Sequence, residues 1–182
     1  MIFIPTEIRD TWLIDIEPID DERGFFARSF CPQEFAQRGL SFSLAQASVV
    51  LTHARGTLRG LHYQAAPWEE DKLVRCTRGS AYAVVVDLRA ESPSYARWMS
   101  TDLSAGNHRS LLVPKGCAQG YQTLEDDTEL HYQMSESYRP EAKRGVRYDD
   151  PALAIRWPLP VTRIARADRE WPDFDTHRSR AP

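Results

Sequence analysis

The chain has 182 residues, 42% hydrophobic and 27% charged, with 23 Lys plus Arg against 26 Asp plus Glu. About 100–200 residues is one domain's worth, so 1–182 reads as a single domain with a core over about 10–160 and a wrapping C-terminal tail over 161–182. A formal net charge of −3 removes the electrostatic argument for a nucleic-acid or membrane-surface partner.

In chain order, the start MIFIPTEIRD lacks the basic-then-apolar pattern of a secretory leader. No apolar run approaches the roughly 18 residues of a membrane span. Short apolar stretches follow, each about a strand in length and rich in β-branched and aromatic residues: TWLIDIEPI (11–19), SFSLAQASVVLT (41–52), KLVRCTRG (72–79), AYAVVVDLRA (81–90), HRSLLVPKG (108–116) and TELHYQMSESY (128–138). Turn signals separate them at ERG (22–24), RGTLRG (55–60), ESPS (91–94), SAGN (104–107) and EDD (125–127). A helical period shows weakly in CPQEFAQRG (31–39), where Pro32 suits the first turn and Gly39 the stop. The last thirty residues, rich in Pro, Arg and Asp, leave room for one short helix. Many short strands and few short helices predict an all-β sandwich or barrel.

Cys31, Cys76 and Cys117 form no CxxC and cannot all pair internally, so a reduced cytoplasmic protein is expected. Cys76 and Cys117 read as buried small hydrophobes. Of the basic residues 20 are Arg and only Lys72, Lys115 and Lys143 are Lys. Asp149-Asp150 and the SPS of 92–94 read as turns, and EED at 69–71 as a solvated loop edge. His53, His108, His131 and His177 receive no role.

RGLHYQAAPWEEDKLVRCTRG (59–79) and GNHRSLLVPKGCAQGY (106–121) resemble the two motifs of the cupin jelly roll, H-x-H…E and P-x-G-x-x-H. The second His of the first motif is Gln64 here, and the His of the second is Gln119. A metal site needs three or four converging imidazoles or carboxylates, so a metal-free cupin is expected. The lone His62 is open to the ordinary reading of a satisfied core histidine; beside Arg59, Lys72, Tyr132 and Tyr138 it reads better as part of a small-molecule site at a barrel mouth.

DERGFFARSF (21–30), Gln46, LRGLHYQ (58–64), KLVRCTRG (72–79), VVVDLRAESPS (84–94), VPKGCAQGY (113–121), YQMSESYRPE (132–141), RYDDPALAIRWPL (147–159) and Asp168 stand in one order and spacing. Together they resemble the dTDP-4-dehydrorhamnose 3,5-epimerase family. The resemblance implies a homodimeric cupin jelly roll with strand exchange, acting without metal or cofactor on nucleotide-linked 4-keto-6-deoxy sugars. It implies His62 as base, Asp168 as the carboxylate that orients it, Tyr132 as acid, and Lys72 as the donor to the C4 oxygen. Such residue types suit inversion beside a ketone, which needs a base, an acid on the other face and a donor for the developing oxyanion. Without the resemblance Tyr132 would read as one more barrel-lining aromatic. The resemblance further implies substrate contacts at Arg23, Arg59 and Gln46, with Tyr138 either a contact or a packing residue on the strand of Tyr132. Phe25 and Phe26 suit either base stacking or an interface.

Five positions depart from the family pattern: Arg28 and Lys143 stand where it has Glu, Gln119 where it has His, Ala83 where it has Asp, and Ala167 where it has Lys. A carboxylate cannot become a cation without changing what it faces. Arg28, Gln119 and Lys143 are therefore expected to contact a changed nucleotide or sugar, with inversion at C3, C5 or both. A nucleotide-sugar 3,4-ketoisomerase, a non-catalytic sugar-nucleotide-binding cupin and, less favoured, a metal-dependent cupin stay as alternatives.

Overall fold

The computed structural model describes residues 1–174, so the expected tail is seen only in part and His177 lies outside the described residues. In chain order the elements are β1 (Ile2–Pro5), β2 (Trp12–Asp15), β3 (Ile19–Asp21), β4 (Gly24–Phe26), α1 (Pro32–Ala36), β5 (Gln46–Thr52), β6 (Thr57–Gln64) and β7 (Lys72–Arg78). There follow β8 (Ser80–Asp87), β9 (Trp98–Ser104), β10 (Ser110–Val113), β11 (Cys117–Thr123), β12 (Thr128–Met134), β13 (Lys143–Gly145), β14 (Arg163–Ile164) and α2 (Arg166–Arg169). One sheet runs β1-β2-β10-β7-β12-β5; the other runs β13-β6-β11-β8-β9, with β14 also on β6, and β3-β4 is a separate hairpin. All pairs are antiparallel except β14 with β6. This is the all-β sandwich that the strand pattern predicts, in the jelly-roll form that the cupin resemblance implies.

Period-2 alternation fills the space between the sheets. Val74, Cys76, Leu111 and Leu130 come inward from one sheet, and Ala81, Ala83, Val85, Leu103 and Tyr121 from the other. The Val84-Val85-Val86 run is apolar without a break because both faces of β8 are covered. Val84 and Val86 turn outward against Leu61, Val146 and Leu153, with Trp157 and Ile155 packed over them. On the outer side of the first sheet, Phe35 of α1 packs with Ile14, Leu73 and Leu112. Pro32 opens α1, and Gly39 takes φ +72° just beyond its end, as the sequence suggests.

Several boundaries differ from expectation. The 41–52 run is extended only from Gln46, and the stretch RGTLRG is largely strand: its turn is confined to Arg55 and Gly56, the latter at φ +78°, and β6 begins at Thr57. His62 thus stands on a strand, β6. β11 reads weakly as a strand because CAQGYQT is poor in β-branched residues; it forms because β6 and β8 pair with it on both sides. No helix among the described residues is long and apolar enough to cross a membrane.

One irregularity in β6 places the site. Gln119 pairs with His62 and Tyr121 with Arg59, so three steps along β6 oppose two along β11. The extra residue is a bulge, and it shifts the side-chain phase by one. Thr57 and Arg59 before it, and His62 and Gln64 after it, consequently line the same cavity. Gly60 permits the bulge: its φ is +119°, and a Cβ there would lie 2.6 Å from the Gly120 Cα.

Candidate active site

A cavity of about 600 Å³ opens between the sheets. Gln46 (β5), Lys72 (β7) and Tyr132 (β12) line it from one sheet, and Arg59 and His62 (β6), Gln119 (β11) and Lys143 (β13) from the other. The chain returns after residue 160 to lay β14 along β6, and α2 then delivers Asp168 to the same cavity.

His62 Nε2 lies 2.7 Å from Asp168 Oδ1, and the Gly60 amide donates to Asp168 Oδ2 at 3.2 Å. The carboxylate is buried and the imidazole partly open, with side-chain exposures of 6% and 33%. Burial alone would raise the Asp168 carboxyl; the His62 hydrogen bond and charge, the Gly60 amide and Lys143 outweigh it and hold the pKa below the usual carboxylate value. An ionised Asp168 accepting from Nε2–H fixes the tautomer that leaves a lone pair on Nδ1.

Lys72 is 8% exposed. Its Nζ donates to the His62 carbonyl at 3.0 Å and lies 3.3 Å from Glu70 Oε1. The Tyr132 hydroxyl points to Gln119 Oε1 at 3.4 Å, and Gln119 Nε2 donates to the Gly120 carbonyl. Burial, reinforced by Tyr121, pushes the Tyr132 phenol well above its ordinary range, so it stays protonated at neutral pH. Arg59 Nε donates to Thr52 Oγ1 at 3.0 Å, which leaves its two terminal nitrogens for a ligand. Gln46 Oε1 accepts from the Tyr138 amide at 3.1 Å.

The structure therefore gathers His62, Asp168, Lys72, Tyr132, Arg59, Gln46, Gln119, Tyr138 and Lys143 around one cavity. Tyr138 is not on the strand of Tyr132, as had been expected: β12 ends at Met134, and Tyr138 is 50% exposed at the cavity's lip. Arg23 and Arg28 do not line this cavity in their own chain. Arg23 pairs with Asp21 on the β3–β4 hairpin, and Arg28 pairs with Glu34. Ala83 is fully buried opposite Tyr121, a diagonal neighbour of Gln119, whereas Ala167 is exposed outside the cavity.

Two charged lining residues were missed in the sequence, Glu70 and Arg163. The EED run is not a solvated edge. Asp71 accepts from the Lys115 amide, and Glu70 is 10% exposed between Lys72 and Gln64. The readable signal was the spacing: Glu70 and Lys72 are two apart, and extended chain puts such residues on one face. Gln64, at the cupin ligand position, donates to the Trp68 carbonyl and accepts from the Arg139 amide, tying together the loops on either side.

The family model described as dTDP-4-dehydrorhamnose 3,5-epimerase matches residues 5–176. The chain belongs to the dTDP-4-dehydrorhamnose 3,5-epimerase family. This family member is 40% identical over 164 residues to a dTDP-4-dehydrorhamnose 3,5-epimerase of Sinorhizobium fredii, covering 90% of this chain and 84% of the relative. It is 35% identical over 167 residues to a dTDP-4-dehydrorhamnose 3-epimerase of Streptomyces niveus, covering 91% and 80%. A crystal structure of the Bacillus anthracis 3,5-epimerase with TDP and PPi bound superposes with a TM-score of 0.91 at 38% identity, over 94% of this chain and 98% of the other. Like its relatives, this epimerase-family chain is an isomerase of deoxysugar biosynthesis.

Proposed function

We propose that the chain inverts C3, C5 or both in a nucleotide-linked 4-keto-6-deoxy sugar, with His62 as base and Tyr132 as acid. The observation that carries this reading is that His62 and Tyr132 enter one cavity from opposite sheets. A sugar ring held between them is deprotonated from one face and reprotonated from the other, which is what inversion requires. C3 and C5 both flank the C4 carbonyl, so removing either proton puts negative charge on the same oxygen. Lys72 supplies the preorganised donor to that oxygen, and Asp168 holds His62 in its basic tautomer and stabilises the imidazolium that forms. Arg59 and Gln46 hold the nucleotide diphosphate and sugar, with Gln119, Tyr138 and Lys143 around them.

Solvent deuterium wash-in with dTDP-4-keto-6-deoxyglucose tests the proposal. His62→Ala and Tyr132→Phe should each lower turnover by about 10²–10⁴-fold, the usual worth of a general acid or base. Label at both C3 and C5 would overturn altered specificity at Arg28, Gln119 and Lys143; label at one centre fits their change and the 3-epimerase relative. A product with a moved carbonyl would instead indicate a ketoisomerase, and binding without exchange a non-catalytic cupin.

The same reading includes a cytoplasmic homodimer. Its support is the hairpin side chains Ile19, Phe25 and Phe26, which are 70%, 48% and 74% exposed, and three cysteines that are all free. In that assembly the hairpin carries Arg23, Arg28 and the phenylalanines to a partner's cavity.

A further inference from the structure

We propose that Glu70 is a positioning residue: its carboxylate fixes the Lys72 ammonium in the cavity and keeps it charged for the oxyanion. The inference rests on Lys72 acting as the oxyanion donor, and it adds what allows a lysine to do so from a buried place.

Burial withdraws hydration from the Lys72 ammonium and disfavours its charged form. Two acceptors replace the lost water, the His62 carbonyl at 3.0 Å and Glu70 Oε1 at 3.3 Å. Only Glu70 brings a compensating charge, and among the described residues it is the one carboxylate within ion-pair distance of Lys72. An ammonium has three N–H donors, so one is left for a ligand oxygen. The carboxylate is itself held, because its second oxygen, Oε2, accepts from Gln64 Nε2 at 3.2 Å. Gln64 is anchored in turn by the Arg139 amide at 2.6 Å. With side chains of 10% exposure on each partner, this is a fixed pair and not a mobile surface contact.

The other charges around Lys72 do not take Glu70's place. Arg59 and His62 from β6 and Lys143 from β13 are cationic or become so during the reaction, and Tyr132 from β12 is a protonated phenol. Glu136, in the loop after β12, acts on Glu70 and raises its pKa. Asp168 is committed to His62. Burial lowers the Lys72 pKa and raises that of Glu70, while each partner favours the charged form of the other. Removing Glu70's charge leaves only the lowering influence on Lys72. The ammonium then loses its proton at a lower pH, and activity falls from the alkaline side.

The test compares wild type, Glu70→Gln, Glu70→Asp and Lys72→Met. With only three lysines in the chain, protein labelled at lysine 13Cε gives few signals, and Lys72→Met assigns one. In Glu70→Gln the Lys72 resonance should titrate at least about one pH unit below wild type. The alkaline limb of kcat/KM should move down by the same amount, with a drop of about tenfold above that limb and a change under about threefold near pH 6.5. Glu70→Asp, which restores the charge, should return most of both shifts. An unchanged Lys72 titration in Glu70→Gln overturns the inference. Should Glu70→Gln not fold, Glu70→Asp decides: a titration there as low as that of a solvent-stripped lysine without a counter-ion overturns it, and a titration near wild type supports it. Full turnover in Lys72→Met would instead overturn Lys72 as the oxyanion donor, while the titration still reports the pairing.

Discussion

At the scale of single residues, carboxylates organise this protein, each through a different neighbour. Asp168 orients an imidazole, Glu70 an ammonium, and Asp87 a turn. Asp87 is fully buried, yet its oxygens accept from Arg89 Nε at 2.9 Å, Ser92 Oγ at 2.5 Å and Ser94 Oγ at 2.6 Å. Burial alone would raise its pKa; the Arg89, Ser92 and Ser94 bonds overcome that and bring it down to about 2. The SPS segment is thus a turn, as its composition suggests, clamped onto a charge that composition does not reveal. A folded pKa below the unfolded value contributes stability above the unfolded value and loses it as pH falls through the folded one. For Asp87 that is about 2 kcal/mol, present above about pH 4 and lost towards pH 2. Asp87→Asn should therefore be less stable at pH 7, with a shallower further loss on acidification. Urea unfolding at pH 7 and pH 3 reads both, and parallel pH slopes in the two proteins would refute the assignment.

At the scale of elements, the decisive piece is the β6 bulge. Arg59 and His62 are three apart, and regular alternation would send them to opposite faces; the extra residue against β11 returns both to the cavity. The crossing leaves no room for a side chain, since a Cβ on Gly60 would lie 2.6 Å from Gly120 Cα and 3.0 Å from the Gln119 carbonyl. Gly60→Ala should cost about 2–4 kcal/mol, from a positive φ and overpacking together. It should also lower turnover by more than the unfolded fraction accounts for, because straightening β6 turns His62 away from Asp168. Chemical denaturation together with turnover measured at full folding checks this; retained turnover would mean that the bulge does not set the site. Glycines at 60 and 120 are visible in the sequence, but that they face each other follows only from the pairing of β6 with β11.

At the scale of the whole molecule, the β3–β4 hairpin stands out for the apolar side chains it exposes. Ile19, Phe25 and Phe26 project from β3–β4, and Val49 and Leu51, 61% and 40% exposed, face outward on the edge strand β5. Large apolar groups left exposed, as on the hairpin, mark an interaction surface. Light scattering should report a dimer for the wild type, and Phe26→Glu should shift it to monomer and lower turnover together; a monomeric, fully active wild type would defeat the strand-exchange reading. The fold class was legible in the sequence because alternation, turn residues and the VVV run are local consequences of which faces are buried. His62, Tyr132, Lys72 and Asp168 were legible only through the family resemblance, since 106 positions separate the histidine from its aspartate. Glu70 was misread because a charged run in a loop looks solvated until the loop is seen to close over a buried lysine. Local chemistry in the chain determined that it folds as short strands separated by turns and which family the order of motifs implies. Tertiary structure alone decided that a bulge aligns Arg59 with His62, that a returning tail supplies Asp168 and that Glu70 compensates Lys72. Those depend on contacts between segments far apart in sequence, which no local pattern encodes.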